Sequence, residues 1–108
     1  MEQGLSYSLV VDNEEDQHLV ARYLERKASQ VSFLRQCVAE ENYDELSRTG
    51  HKLVGSGAAY GLPRITELGR ELHVAASKLE HADCINIIDR LADFVSRVSV
   101  VPPQTQVR

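Results

Sequence analysis

Apolar residues recur at steps of three and four along most of this chain, which is the spacing of one face of an α-helix. Four such stripes follow one another, and short polar or glycine-containing segments separate them. The stripes are Leu19 to Val38, Leu46 to Gly57, Ile65 to Leu79 and Cys84 to Val98. Short connections favour antiparallel neighbours, so the pattern predicts an all-α, up-down-up-down four-helix bundle.

The residues between the stripes predict where each helix begins and ends. Each predicted start carries a capping side chain or a proline suited to the first turn: Asp12 or Asn13, Asn42, Pro63 and Asp83. Asn42 and Glu45 also form an N-x-x-E capping pattern. Gly61 suits the residue after a helix, so the second helix should end near Tyr60. The first stripe fits either one long helix or a short helix that kinks into a longer one near Ala28.

The two ends of the chain lack a helical stripe. Residues 1–11 are predicted to be an N-terminal lead-in, either extended or helical, and a short extra helix there would cover one end of the bundle. The bundle itself is predicted over residues 12–101. The polar segment 102–108, with its paired prolines, is predicted to be a disordered tail. No β-strand is expected.

Composition and charge narrow the class of protein. The chain has 108 residues, enough for one domain, and 43% of them are hydrophobic, as in an ordinary soluble globule. Its net charge of −4 disfavours nucleic acid as a partner, because phosphate backbones are bound by clustered Lys and Arg. With no membrane-span or secretion-signal pattern, a cytoplasmic location is expected. Cys37 and Cys84 are expected to be reduced and buried, with a disulfide as the alternative.

The second predicted helix contains three glycines, although each costs a helix about 1 kcal/mol relative to alanine. Gly57 continues the inward stripe and is expected to let a neighbouring helix approach, with Ala58 and Ala59 as further packing residues. Gly55 lies one turn after His51, where a side chain would crowd the imidazole. With the small Ser47 one turn before, the pattern predicts a histidine with cleared space around it.

Two cations accompany this histidine in the sequence. Arg48 and Lys52 can stabilise an anionic group by charge-assisted hydrogen bonds, and neutral imidazole offers a nucleophilic lone pair. The combination suits phosphoryl transfer through His51. The sequence shows no glycine-rich phosphate loop and no Asp/Asn magnesium constellation, so a partner is expected to bring the aspartate and Mg²⁺. No cofactor or metal is expected on the chain, and His18, His73 and His81 are interpreted as surface or rim residues.

The run His51-Lys52-Leu53-Val54-Gly55-Ser56, followed by small residues, resembles the signature of the histidine-containing phosphotransfer (Hpt) family. The preceding segment 42–46 and the pair at 79–80 fit the same family, and the likeness covers residues 19–98. The resemblance implies a phosphocarrier, not an enzyme in the usual sense. Its expected partners are a response-regulator receiver domain, a hybrid sensor histidine kinase, or both, and a monomer is expected.

Val54 departs from the family pattern, which often has Lys three residues after the histidine. Val54 is either a docking contact for a receiver domain or a valine at the edge of the core. The departure keeps an alternative function open, namely an adaptor that docks signalling partners without being phosphorylated. The dimerisation and phosphoacceptor domain of a sensor kinase is a third possibility, but four helices with nothing after them favour a monomeric bundle.

Overall fold

The computed structural model describes residues 7–103, which form four α-helices and two short strands. In chain order these elements are β1 (Tyr7–Val10), α1 (Glu14–Ala39), α2 (Tyr43–Ala59), α3 (Pro63–Ser77), α4 (His81–Arg97) and β2 (Val98–Val101). Helix α2 packs against α1 and α3, and α4 packs against α3 and α1. The predicted all-α four-helix bundle is therefore confirmed.

Helix α1 is one continuous helix of 26 residues, so the long helix is the correct one of the two possibilities. It begins after Asn13, whose Oδ1 accepts a hydrogen bond from the backbone N–H of Asp16 at 2.7 Å. Glu14, Glu15 and Asp16 occupy the first turn, where carboxylates interact favourably with the positive end of the helix dipole.

The boundary between α2 and α3 follows the sequence prediction. The side chain of Asn42 caps α2 by accepting a hydrogen bond from the N–H of Glu45 at 3.3 Å. After Ala59 the chain turns through Gly61 at φ +72°, a left-handed conformation that glycine adopts without a Cβ clash. Pro63 is the first residue of α3. The two helices thus reverse direction within a few residues and form an antiparallel pair.

The predicted cap of the last helix at Asp83 is wrong. Helix α4 begins at His81, and Asp83 lies in its first turn. The reason is the way α3 ends: Leu79 adopts φ +58°, and the N–H of Glu80 donates to the carbonyl of Ala75 at 2.9 Å. This turn reverses the chain quickly enough for the next helix to begin directly after Glu80.

The prediction that the chain has no strand is wrong as well. Strand β1 shows that residues 7–10 of the predicted lead-in are extended, so the alternative of a helix is wrong there, and β2 takes residues predicted to end the last helix. The strands pair in parallel, with Tyr7 opposite Val98 and Val10 opposite Val101. Strand β2 is rich in valine, a β-branched residue that favours extended structure, and Val98 and Val100 pack against the core. Most of the predicted tail, at 104–108, lies outside the described residues.

Aliphatic side chains from all four helices build the core. The most completely buried are Leu34, Leu46, Leu53, Ile65, Leu68, Leu72, Ile88 and Leu91. Cys37 and Cys84 are buried and free, as expected, and the alternative disulfide does not form. Burial raises the pKa of both thiols. Within residues 7–103, no helix is both long enough and apolar enough to cross a membrane.

Candidate functional site

His51 lies in the middle of α2 and is exposed to solvent. The inward stripe of the helix fixes this position, because Thr49, Gly50 and Leu53 are buried on either side of it in sequence. Burying that stripe turns the next positions of the helix outward. The imidazole is therefore presented on the surface of the bundle by the packing of its neighbours.

Beneath His51, α2 and α3 approach each other closely because two glycines meet there. A Cβ on Gly50 would lie 2.6 Å from the backbone N of His73 and 2.7 Å from the carbonyl O of Gly69. A Cβ on Gly69 would lie 2.6 Å from the Cβ of Leu53. Contacts this short require atoms to shift, and backbone atoms cannot shift cheaply. The fold therefore requires glycine at both positions.

Gly55 has a different environment. A Cβ at this position would have no neighbouring atom within 4 Å, apart from the backbone of its own helix. The fold therefore does not require glycine here, although glycine costs a helix about 1 kcal/mol relative to alanine. The surface one turn from His51 is clear, as the sequence indicated. That this clearance gives a partner access to the imidazole stays a prediction.

The structure places a second histidine beside His51. His73 is half-buried on α3, and its ring centroid lies 5.8 Å from that of His51 with 52° between the ring planes. Its Nδ1 lies 2.9 Å from Oγ of Ser47 and 3.1 Å from the Ser47 carbonyl oxygen. Ser47, predicted only as a small residue that leaves access to His51, therefore also holds His73 in place.

The sequence pattern predicts His73 only as a surface or rim residue and does not connect it with His51. A signal was present, however, because the two histidines are equally far in sequence from the turn between Gly61 and Pro63. In an antiparallel helix pair, positions equally distant from the turn lie at the same height. The register of α2 and α3 could thus have suggested this neighbour.

Val54 lies half-buried at the edge of the interface between α2 and α3. Its carbonyl oxygen accepts a hydrogen bond from Oγ1 of Thr66 at 2.8 Å. A Cβ on Gly57 would lie 2.6 Å from the same Oγ1, so the prediction that Gly57 is a packing residue is confirmed. Ala58 and Ala59 are exposed, and their predicted packing role is wrong because the buried stripe of α2 ends at Gly57.

The two cations predicted near the histidine have different surroundings. Nη1 of Arg48 lies 2.7 Å from Oε1 of Glu45, one turn earlier on the same helix, so this carboxylate offsets its charge. Lys52 is exposed and forms no ion pair within the described part of the chain. On α1, burial first, and then the positive charges of Arg26 and Lys52, lower the pKa of Lys27. The uncompensated charge nearest His51 in sequence is thus that of Lys52.

Tyr23 connects α1 to the second half of α2. Its hydroxyl lies 2.6 Å from Oγ of Ser56, and its ring stacks on Tyr60 with 4.2 Å between centroids. Burial raises the pKa of Tyr23, and Nζ of Lys27 lies 5.1 Å from its ring centroid. These contacts hold the stretch of α2 that follows His51 against α1.

The comparison with protein families agrees with the four-helix bundle. The sequence model of the Hpt domain matches residues 18–100, which is most of the chain. The chain belongs to the Hpt domain family. No curated protein and no solved structure matches the chain.

Membership of the Hpt family indicates the general role of this chain. Hpt domains act in histidine phosphotransfer within phosphorelays, as phosphocarriers rather than enzymes, and they interact with receiver domains and kinases. The resemblance seen in the sequence is thereby confirmed at the level of the family.

The other two histidines of this Hpt domain lie near helix starts. His18, in the first turns of α1, lies 3.9 Å from a carboxylate oxygen of Glu14. His81, the first residue of α4, has its Nδ1 2.9 Å from the hydroxyl of Tyr43. Both are exposed, as predicted. Across residues 7–103, no three His, Cys, Asp or Glu side chains come together in a group that could hold a metal ion.

Proposed function

We propose that this Hpt domain accepts a phosphoryl group on His51, from the phosphorylated aspartate of a receiver domain or from a kinase, and relays it in two-component signalling. The observation that carries the proposal is the exposed imidazole of His51 beside open space at Gly55, in a chain of this family. The fold does not need glycine at position 55. The approach of a partner to the imidazole of His51 explains why glycine is present there.

The chemistry requires one nitrogen lone pair and an in-line approach. A neutral imidazole has one protonated nitrogen and one with a lone pair. We propose that Nε2 of His51 attacks the phosphorus of the aspartyl phosphate, so that an N–P bond forms and the P–O bond to the aspartate breaks. The aspartate leaves as a carboxylate, and the proton on Nδ1 stays on the ring. Transfer to the next aspartate is the reverse reaction.

The charges near His51 indicate what a partner must add. The aspartyl phosphate is strongly anionic, and the charge of Arg48 is already offset by Glu45. Lys52 supplies one exposed cation. We propose that the receiver domain supplies both the aspartate and the Mg²⁺ that neutralises the transferring group, while Lys52 and Arg48 give electrostatic support.

Replacement of the histidine tests this proposal directly. A phosphorylated receiver domain of the same organism is mixed with the wild-type chain and with His51→Gln. We expect acid-labile label on the wild type and none on the variant, because an amide has no nucleophilic lone pair comparable to imidazole. Circular dichroism is expected to show the same helix content for both, since His51 is exposed. Equal label on both chains would contradict the proposal.

A second candidate function is an adaptor that binds signalling partners without taking up phosphate. Two observations favour it: Arg48 is paired with Glu45, and Val54 places an apolar side chain where the family often has a cation. If the folded wild-type chain binds cognate receiver domains but takes no label from any of them, the adaptor function is the correct one.

A further inference from the structure

Three cations come together where α1 meets α2. Nζ of Lys27 and Cζ of Arg26 lie 5.1 Å and 6.0 Å, respectively, from the ring centroid of Tyr23. The hydroxyl of Tyr23 lies 2.6 Å from Oγ of Ser56 on α2, and Lys52 is one turn before Ser56. Burial lowers the pKa of Lys27 most, and the nearby positive charges of Arg26 and Lys52 lower it further. These three cations form the α1–α2 cation cluster.

The α1–α2 cation cluster has no carboxylate partner among residues 7–103. The hydrogen-bond partner of Lys27 is the neutral amide oxygen of Gln30, 3.1 Å from Nζ. Five other arginines in this range each form an ion pair with a carboxylate: Arg35, Arg48, Arg64, Arg90 and Arg97. Because the chain carries a net charge of −4, carboxylates are plentiful, and three cations without one are not a consequence of composition.

The fold gives no reason for a lysine at position 27. Lys27 lies one turn after Tyr23 and one turn before Val31, on the stripe of α1 that packs into the core. Its side chain is half-buried, and partial burial of an ammonium group among like charges costs free energy. An apolar side chain would fit this stripe at no such cost. A lysine held here, like the glycine at position 55, therefore indicates contact with another molecule.

The α1–α2 cation cluster lies next to the surface that a partner of His51 must approach. Lys52 directly follows His51, and Ser56, the partner of Tyr23, directly follows Gly55. The cluster therefore borders the open surface beside the imidazole. A receiver domain presents negative groups there, because it brings the aspartyl phosphate and the carboxylates that hold Mg²⁺. Opposite charges at the edge of a contact steer two proteins together.

We propose that Arg26, Lys27 and Lys52 form a docking site for the carboxylates that surround the aspartyl phosphate of a receiver domain. The site rests on the proposed function, since that function names the partner. It assigns to α1 a positive charge that the family often places at position 54 of α2, where this chain has valine. A receiver domain held in this way contacts two helices, and its attraction to the chain is weakened by salt.

The expected effect is on the rate at which a receiver domain associates with the chain. Steering by opposite charges raises association rates about ten- to thousandfold. Loss of one of the three cations should therefore slow association roughly threefold, and loss of two roughly tenfold. Both losses should shrink at high salt, because added ions screen exposed charges. The rate of transfer at saturating receiver domain should change less than the rate of association.

Association is measured by stopped flow in chains that carry His51→Gln, so that no phosphoryl group moves during the experiment. The partner is a phosphorylated receiver domain of the same organism with Mg²⁺, at low and at high salt. Arg26→Gln and Lys27→Met, singly and together, remove positive charge while they keep much of the length of each side chain. Lys78→Gln is the matched control, because it removes one charge from an exposed position at the end of α3. Urea denaturation establishes that each variant is folded.

At low salt we expect association to slow roughly threefold in each single variant and roughly tenfold in the double variant, with no change in Lys78→Gln. If folded Arg26→Gln and Lys27→Met slow association no more than Lys78→Gln does, the docking site is overturned. With His51 restored, labelling of the wild-type chain tests the proposed function separately. If that chain takes no label and the double variant still associates more slowly, the docking site stands and the phosphoacceptor proposal fails.

Discussion

Gly50 and Gly55 lie little more than one turn apart on α2, yet they occupy opposite environments. A Cβ on Gly50 would collide with the backbone of α3, whereas a Cβ on Gly55 would meet nothing outside its own helix. One glycine is explained by a neighbour within the fold and the other is not. A glycine inside a helix that the fold does not require indicates a contact with another molecule, such as a binding partner.

The largest expected effect is on stability, at the buried member of this pair. Gly50→Ala forces α2 and α3 apart, because the new Cβ would lie 2.6 Å from the N of His73. We expect the free energy of unfolding to fall by about 2–3 kcal/mol, the usual cost of overpacking. Urea denaturation followed by circular dichroism measures it.

Gly55→Ala is the matched control on the same helix. It should raise the free energy of unfolding by up to about 1 kcal/mol, because alanine is the better helix former and the added methyl group meets nothing. If the two alanine variants changed stability by the same amount and in the same direction, the contrast between the two glycines would be wrong.

The next largest effect is expected on phosphoryl transfer, at the exposed glycine, Gly55. Gly55→Leu places a branched side chain one turn from His51 without disturbing the bundle. We expect labelling from a phosphorylated receiver domain to slow by about tenfold, which corresponds to a rise of roughly 1.4 kcal/mol in the activation free energy. The stability of the bundle should be preserved. Ala82→Leu, at an exposed position of α4, is the control and should label at the wild-type rate. Unimpaired labelling of Gly55→Leu would remove the functional reason for this glycine.

The smallest effect is expected at Val54, which is partly packed, like Gly50, and partly exposed, like Gly55. Its carbonyl is bound by Thr66 within the interface, while its side chain is only half-buried. Val54→Asp should weaken binding of a receiver domain by roughly three- to fivefold, about 1 kcal/mol for the loss of a rim apolar contact. Titration calorimetry measures the affinity, with Val54→Thr as the uncharged control of similar shape. Unchanged affinity in a folded Val54→Asp would assign the valine to the core edge.

Features governed by local rules were predictable from the sequence. The helical stripes, the caps at Asn13 and Asn42, and the turn at Gly61 depend on residues a few positions apart. The start of α4 was not predictable in the same way, since the left-handed conformation falls on Leu79 and leucine gives no signal for it. The strands were not predictable from the sequence, because Val98 continues the helical spacing and because strand pairing depends on residues far away in the chain.

In the candidate site, too, some features were predictable from a single helix and others depend on packing between helices. His51 and Gly55 follow from spacing on one helix, and the pair between Glu45 and Arg48 also has helical spacing and could have been anticipated. The approach of Gly69 and the position of His73 depend on how α3 is aligned with α2. That alignment is set by three-dimensional packing, which periodicity within one helix does not report.

The parallel pairing of β1 with β2 has a consequence for the order in which the molecule assembles. The strand at Tyr7–Val10 is made first, but its partner at Val98–Val101 follows all four helices. During synthesis the helices can dock pairwise through short connections, whereas the ribbon must wait until β2 at Val98–Val101 has left the ribosome. Bringing the two strands together carries the loop-closure entropy of the long segment between them, which contains all four helices. The ribbon is therefore expected to close last, over helices that have already packed.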